Sequence, residues 1–261
     1  MRLALAHWVF HIRSRPVQSK GLAMSSTTQP DSAGAILLIG ASRGLGLAMA
    51  SEFLTRGWRV VGTVRGDKRT KLHDLADDHP GRVEIQPLDV TKPEEIAALR
   101  ERLTNRNFEV LFVNAGIANS KQDETIAEVS TEEFARVMIT NALSPMRVIE
   151  GLQDLVSANG LIGVMSSGQG SISNNTKGGH EVYRGSKAAL NMYMRSYAAR
   201  RAADARALVL MAPGWIRTEL GGASAPLGIE ETIPKVVDVL IKQQGTPGLR
   251  YLDRDGQTVS W

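Results

Sequence analysis

From residue 35 onward, short apolar runs alternate with longer stretches whose apolar residues recur every three or four positions. The runs 35–39, 59–64, 83–88, 110–113, 161–165, 206–211 and 249–252 are rich in Val, Ile and Leu and read as strands. Helical spacing fills the stretch that ends near residue 56, and the stretches 93–105, 131–156, 181–203 and 233–242. Pro93 stands near the start of one of these, followed by Glu94 and Glu95, which suit the positive end of a helix. Strands separated by helix-length segments predict βαβ units. The expected fold is α/β: one doubly wound parallel sheet with helices on both faces. There is no internal repeat and no sign of a second domain.

Ligands of such sheets lie at the carboxyl ends of the strands. The unusual short sequences fall there, at 40–46, 89–91, 114–116, 166–167 and 213–218. Gly40-Ala41-Ser42-Arg43-Gly44-Leu45-Gly46 joins the first strand to the first helix. Glycines there let the backbone turn tightly and approach a pyrophosphate, and the helix N-terminus favours the negative charge. The alternative is a tight turn with no ligand. Its position at the first strand–helix junction favours a dinucleotide. The second strand ends Gly62-Thr63-Val64-Arg65, with Val64 where an acid would bind the ribose hydroxyls of NAD. Arg43 and Arg65 are two guanidiniums suited to a 2′-phosphate, so NADP(H) is expected over NAD(H).

Tyr183-Arg184-Gly185-Ser186-Lys187 opens the stretch 181–203, which no Pro interrupts. A spacing of four puts Tyr183 and Lys187 one above the other on a helix face. A phenol is a poor acid at neutral pH, with a reference pKa of about 10. A fixed ammonium beside it favours the phenolate and lowers that value. Tyr183 can then exchange a proton, as reduction of a ketone or oxidation of an alcohol requires. The bland alternative is a core tyrosine and a solvated lysine.

Composition changes little in this reading. The 261 residues are 43% hydrophobic and 22% charged, ordinary for a globular protein. A net charge of +4, part of it near the N-terminus, does not make a nucleic-acid surface. There is no Cys, which excludes disulfides and Cys-bound metals; no metal site is expected. No apolar run approaches the ~20 residues of a membrane helix, so no membrane partner is expected and the expected location is cytoplasmic. Residues 1–33 differ from the rest, being basic, acid-free before Asp31 and polar over 25–30. They read as a disordered tail, with a transit peptide or translation from Met24 as alternatives. The domain is therefore taken as 34–261.

At this point the motifs match a family. Gly40-Ala41-Ser42-Arg43-Gly44-Leu45-Gly46, Asn114-Ala115-Gly116, Asn141, Ser166-Ser167, Tyr183-x-x-x-Lys187 and Pro213-Gly214 with Thr218 occur in the order of the short-chain dehydrogenase/reductase superfamily. The chain resembles that family over about residues 34–261. Gly178-Gly179, the run from Tyr183 to Asn191 and the closing Asp255-Gly256-Gln257-Thr258-Val259-Ser260-Trp261 look closest to the C-factor and sniffer-like carbonyl reductases.

The resemblance implies a Rossmann-type sheet of about seven strands and reduction of a small-molecule carbonyl with NADPH. It implies Tyr183 as acid/base and Lys187 as the residue that lowers its pKa and holds the nicotinamide ribose. Ser167 would hydrogen-bond the substrate oxygen, and Asn141 would hold a water in a proton relay. Asp89 and Val90 would contact adenine, Asn114, Ala115 and Gly116 the adenosine side, and Pro213, Gly214, Ile216 and Thr218 the nicotinamide amide. Gly40, Ser42, Arg43, Gly44, Leu45, Gly46 and Arg65 complete the expected cofactor contacts. A homo-oligomer is also implied. The segment between Ser167 and Tyr183 is longer than the family's usual spacing, which leaves Ser166, Ser167 and Ser171 as candidates, with Ser167 preferred. The alternatives are NAD-dependent alcohol oxidation and a non-enzymatic NADP(H) sensor.

Overall fold

The computed structural model describes residues 33–261. The expectations for the N-terminal segment fall on residues 1–32, outside those described. In chain order the strands are β1 Ala35–Ile39, β2 Arg59–Val64, β3 Val83–Pro87, β4 Phe108–Val113, β5 Val156–Met165, β6 Ala207–Ala212 and β7 Gly248–Asp253. The helices are α1 Gly44–Thr55, α2 Lys71–Asp78, α3 Pro93–Arg102, α4 Thr131–Met138, α5 Ser144–Leu152, α6 Glu181–Arg200 and α7 Ile229–Gln243. The sheet has seven strands in the order β3-β2-β1-β4-β5-β6-β7, and every pair in it is parallel. The strand order reverses between β1 and β4, which opens a crevice at their carboxyl ends.

Strands covered on both faces need apolar residues at every position. In β4, Val110 and Phe112 pack with Met49 and Phe53 of α1 and Val236 and Leu240 of α7. Leu111 and Val113, between them, pack on the other side with Leu99 of α3, Ile149 of α5 and Leu190 of α6. Two cores therefore sandwich one sheet.

Three local features differ from the sequence reading. The stretch 131–156 is helical as expected through Leu155, but it is not uniformly α. Ser130 caps α4 by accepting from the Glu133 amide at 3.2 Å, and a wider π turn over Ile139–Leu143 then separates α4 from α5. β5 begins at Val156, five residues before its continuous apolar run, and its pairing with β4 shifts register between Phe108 and Val110. α2 was not anticipated, because its eight residues, KLHDLADD, bury Leu72 alone. Among the described residues no helix is long and apolar enough to cross a membrane.

Candidate active site

The glycine turn is set by close approach. A Cβ built on Gly46 would lie 2.1 Å from the Gly40 carbonyl oxygen, so α1 starts against β1 only because that position is bare. Gly40 has φ +87°, a conformation side chains rarely adopt. Its amide donates to Thr63 Oγ1 at 2.9 Å, and the Ala41 amide to the Thr63 carbonyl at 2.9 Å. Asn114 Nδ2 donates to the Gly40 carbonyl at 2.9 Å, so the Asn114 amide braces the turn from the end of β4. The backbone of Ser42, Arg43, Gly44 and Leu45 lies between these anchors, at the N-terminus of α1.

Beyond the turn, the ends of β2 and β3 enclose a cavity of about 820 Å³. Val64, Arg65, Asp89, Lys92 and His73 are among the residues that line it, and Val90 is buried next to Asp89. Burial pushes the Asp89 carboxyl up, but the Thr91 hydroxyl and amide and the charges of Arg65 and Lys92 outweigh it and hold it below its usual value. His73 accepts from the Thr70 amide through Nδ1 at 3.0 Å, which leaves Nε2 as its free nitrogen. The two expected arginines have different surroundings. Arg65 lines the cavity, whereas Arg43 is ion-paired to Glu219 of the loop after β6.

The second half of the crevice is made of side chains. Asn141 lies in the π turn and is fully buried. Its Nδ2 donates to the Ile117 carbonyl at 2.7 Å and to Ser186 Oγ at 3.0 Å, and its Oδ1 accepts from the Ile117 amide at 2.9 Å. Lys187 is also buried, and its Nζ donates to the Met165 carbonyl at 2.8 Å and stands 5.7 Å from the centre of the Tyr183 ring. A Cβ on Gly116 would be 3.4 Å from both Asn141 Oδ1 and Lys187 Nζ, so Gly116, Asn141 and Lys187 converge.

The three candidate serines have different fates. Ser166 is buried and donates to Asn191 Oδ1 at 2.6 Å. Ser171 is buried and donates to the Trp261 carbonyl at 3.4 Å while accepting from the Asn174 amide at 3.1 Å. Ser167 is half-buried and its hydroxyl is near Tyr183, where it bears on the phenol's proton.

The protonation of the pair is the reverse of the sequence expectation. Burial pushes the Tyr183 phenol up to about 12; the Ser167 hydroxyl opposes this and Tyr251 adds to it. Burial lowers the Lys187 ammonium to about 8. Lys187 does not depress the phenol, because its ammonium is turned to Met165 and both groups are short of solvent.

The segment after β6 is braced by its own bonds. Gly214, with φ +98°, follows Pro213; Ile216 is buried and bridges Leu227. Thr218 Oγ1 accepts from the Gly221 amide at 3.0 Å, and Trp215 Nε1 donates to the Gly221 carbonyl at 2.7 Å. Sequence reasoning missed His73, Lys92, Ser186 and the structural part of Asn191. The signal for Ser186 and Asn191 was present, since they follow Tyr183 by three and eight positions, close to whole turns of one helix. Among the described residues no three His, Asp or Glu side chains are grouped to hold a metal ion.

Comparison with known proteins agrees with this arrangement. A family model described as enoyl-(acyl carrier protein) reductase matches residues 40–244. A Burkholderia multivorans structure described as a short-chain dehydrogenase/reductase with bound NADP is 61% identical, covers 87% of this chain and 99% of its own, and superposes with a TM-score of 0.86. A carbonyl reductase from Pseudomonas aeruginosa PAO1 in complex with NADP is 34% identical over the same shares, with a TM-score of 0.81. C-signal of Myxococcus xanthus is 32% identical over 155 residues, which is 59% of this chain and 92% of that protein. With its glycine turn, its strand order and this run of similarity, the chain belongs to the short-chain dehydrogenase/reductase superfamily of oxidoreductases.

Proposed function

We propose that this protein is an NADPH-dependent reductase of a small-molecule ketone, aldehyde or quinone, with Tyr183 as proton donor. The observation that carries the reading is the convergence of Ser167, Tyr183, Lys187 and Asn141 beside a glycine turn that only a bare Gly46 permits. The residues fit the cofactor. Gly40 and Gly46 let the turn pack tightly against β4 and the start of α1, and the Arg65 cavity opens beyond it, where Val64 takes the place of an acid. Gly40–Gly46 and Arg65 would hold the phosphates, Asp89 and Val90 the adenine side, and Pro213, Gly214, Ile216 and Thr218 the nicotinamide end.

When bound, the nicotinamide supplies the hydride. Ser167 directs its hydroxyl at the substrate oxygen and stabilises the charge that develops there. Tyr183, with its proton held to about pH 12, gives that proton to the nascent alkoxide. A phenol with a raised value is protonated at neutral pH and so carries the proton that reduction needs. Lys187, lowered to about 8 by burial, bonds the Met165 carbonyl and stands over the Tyr183 ring, where it would hold the nicotinamide ribose. The Asn141 side chain spends three hydrogen bonds on Ile117 and Ser186, so its work is to fix the Gly116 loop against α6; a relay water would rest on its main chain.

The test is a panel of ketones, quinones and aldehydes assayed with NADPH and NADH by loss of nicotinamide absorbance. NADPH oxidation that needs Tyr183 supports the reading; failure of the whole panel, or turnover equal with Tyr183→Phe, overturns it. A homo-oligomer is also proposed. Phe134, Ile139, Leu143, Met192 and Tyr193, large apolar residues exposed on α4, the π turn and α6, suit a second copy. Light scattering checks this. The cytoplasm is the proposed location, checked by fractionation.

A further inference from the structure

We propose that Tyr251 and Trp261 are positioning residues for Ser167, holding the loop that carries it from a strand remote in sequence. The inference rests on the reading of Ser167 given above. β7 is the edge strand beside β6, and Tyr251 within it is 1% exposed. A buried edge-strand tyrosine needs a partner for its hydroxyl. That hydroxyl donates to the main-chain carbonyl of Ser167. The same carbonyl accepts from the Gly170 amide at 2.8 Å, which closes the short helical turn Gly168–Gly170.

Trp261 supplies the second hold. The Val259 amide donates to the Tyr251 carbonyl at 2.8 Å, so the chain after β7 doubles back on the strand. This packs the Trp261 ring against Tyr251 at a tilt of 57°, with centroids 5.5 Å apart, and the Arg195 guanidinium covers the indole at 4.9 Å. The Trp261 carbonyl accepts from the Ser173 amide at 2.9 Å, from Ser173 Oγ at 2.6 Å and from Ser171 Oγ at 3.4 Å. The loop is thus fastened at Ser167 and again at 171–173. Between these points Asn191 Nδ2 donates to the Gly170 carbonyl at 3.2 Å, and Ser166 Oγ bonds Asn191 Oδ1 at 2.6 Å. Ser171, the rival serine, is thereby an anchor of the loop, whereas half-buried Ser167 accepts from the Gln169 amide at 3.1 Å and keeps its hydroxyl proton to donate to a substrate.

The test is a double-mutant cycle of Tyr251→Phe with Ser167→Ala, on a ketone that turns over in the panel. Removing one hydroxyl leaves the packing intact. Tyr251→Phe should lower kcat roughly tenfold, as small misplacements of reacting groups do, with the dissociation constant of NADPH and the Tm unchanged. In the Ser167→Ala background it should cost less than about twofold, since coupled residues do not add. Amide exchange over 168–173 should quicken in cofactor-free Tyr251→Phe. Trp261→Ala should behave like Tyr251→Phe, and Trp261→Phe should restore most of kcat. Equal losses from Tyr251→Phe in both backgrounds would overturn the positioning role, as would an unchanged kcat. A nearly normal Ser167→Ala would instead strike the parent reading of Ser167.

Discussion

The two halves of the crevice are built from different material. Around β1, β2 and β4 the atoms of the proposed site are mostly main-chain ones, with the Arg65 guanidinium added at the cavity: the Gly40 carbonyl, the amides at the start of α1, and the Ile39 carbonyl, which accepts from Asn114 and Ala115 at 2.9 and 3.1 Å. Around β5, β6 and α6 they are a hydroxyl, a phenol, an amine and an amide. Backbone geometry of the first kind is written locally, in which positions lack a Cβ. The second kind depends on partners far away in the chain, such as Ser171 on Trp261, 90 positions on. A change in the first half should therefore act through binding and folding, and a change in the second through kcat.

The largest expected effect tests the second half. Tyr183→Phe removes one proton and leaves the ring, so kcat should fall by about 10²–10⁴-fold while the NADPH dissociation constant holds. Steady-state kinetics with a fluorescence titration of NADPH checks both. Wild-type kcat in the variant would break the assignment.

Ser167→Ala follows, with an expected loss of about 10²–10³-fold in kcat, typical for one donor aimed at a developing oxyanion. Ser166→Ala and Ser171→Ala should lose far less. Their hydroxyls are committed to Asn191 and Trp261, so their removal disturbs the loop without touching substrate. If Ser171→Ala is the crippled enzyme, the loop is threaded differently from the structure.

Gly46→Ala tests the first half. The added methyl would meet the Gly40 carbonyl at 2.1 Å, a contact with backbone that cannot swing away. Forcing atoms into a packed site costs about 1–3 kcal/mol. The expected result is a lower Tm and weaker NADPH binding together. Gly44→Ala, with φ +56° but open space around it, should bind better than Gly46→Ala. The reverse order would break the account of the turn.

The sequence made these halves legible to different degrees. The parallel sheet showed because its apolar runs are continuous, and the glycine turn because a missing Cβ is visible in the letters. Tyr183 and Lys187 were singled out by their spacing and Asn141 by resemblance, but their environment was not legible. Nothing in Ile139-Thr140-Asn141-Ala142-Leu143 announces a π turn, since widening one turn is decided by packing against α6 and not by propensity. The direction of the Tyr183 shift was misjudged for the same reason. A spacing of four brings Lys187 near, but the burial that dominates both groups comes from elements elsewhere in the chain. That shift has a consequence for pH. With Lys187 at about 8 and Tyr183 at about 12, kcat for reduction should be level below pH 8 and fall as the ammonium loses its proton above it. The fall approaches tenfold per pH unit if the charge is essential. A profile flat to pH 9.5 would show that Lys187 titrates outside the catalytic cycle.

The smallest expected effect concerns the two arginines, and it returns to the boundary between the halves. Arg65 lines the cavity and has no competing ion pair among the described residues. A charge-assisted contact to a 2′-phosphate is worth about 1.5–3 kcal/mol, so Arg65→Ala should narrow the preference for NADPH over NADH by roughly 10–100-fold. Arg43 must first leave Glu219, and both side chains of that pair are well exposed, at 69% and 75%. An exposed pair is worth about 0–1 kcal/mol, so the competition is slight and Arg43→Ala should narrow the preference less than Arg65→Ala. Glu219→Gln should have the opposite sign. It frees Arg43 and should tighten NADPH by up to about fivefold, with NADH unmoved because NADH has no 2′-phosphate to receive the guanidinium. Titrating both cofactors against the three variants separates these cases. Equal tightening of NADH and NADPH in Glu219→Gln would mean that Glu219 repels the pyrophosphate itself, and that Arg43 never reaches the 2′ position.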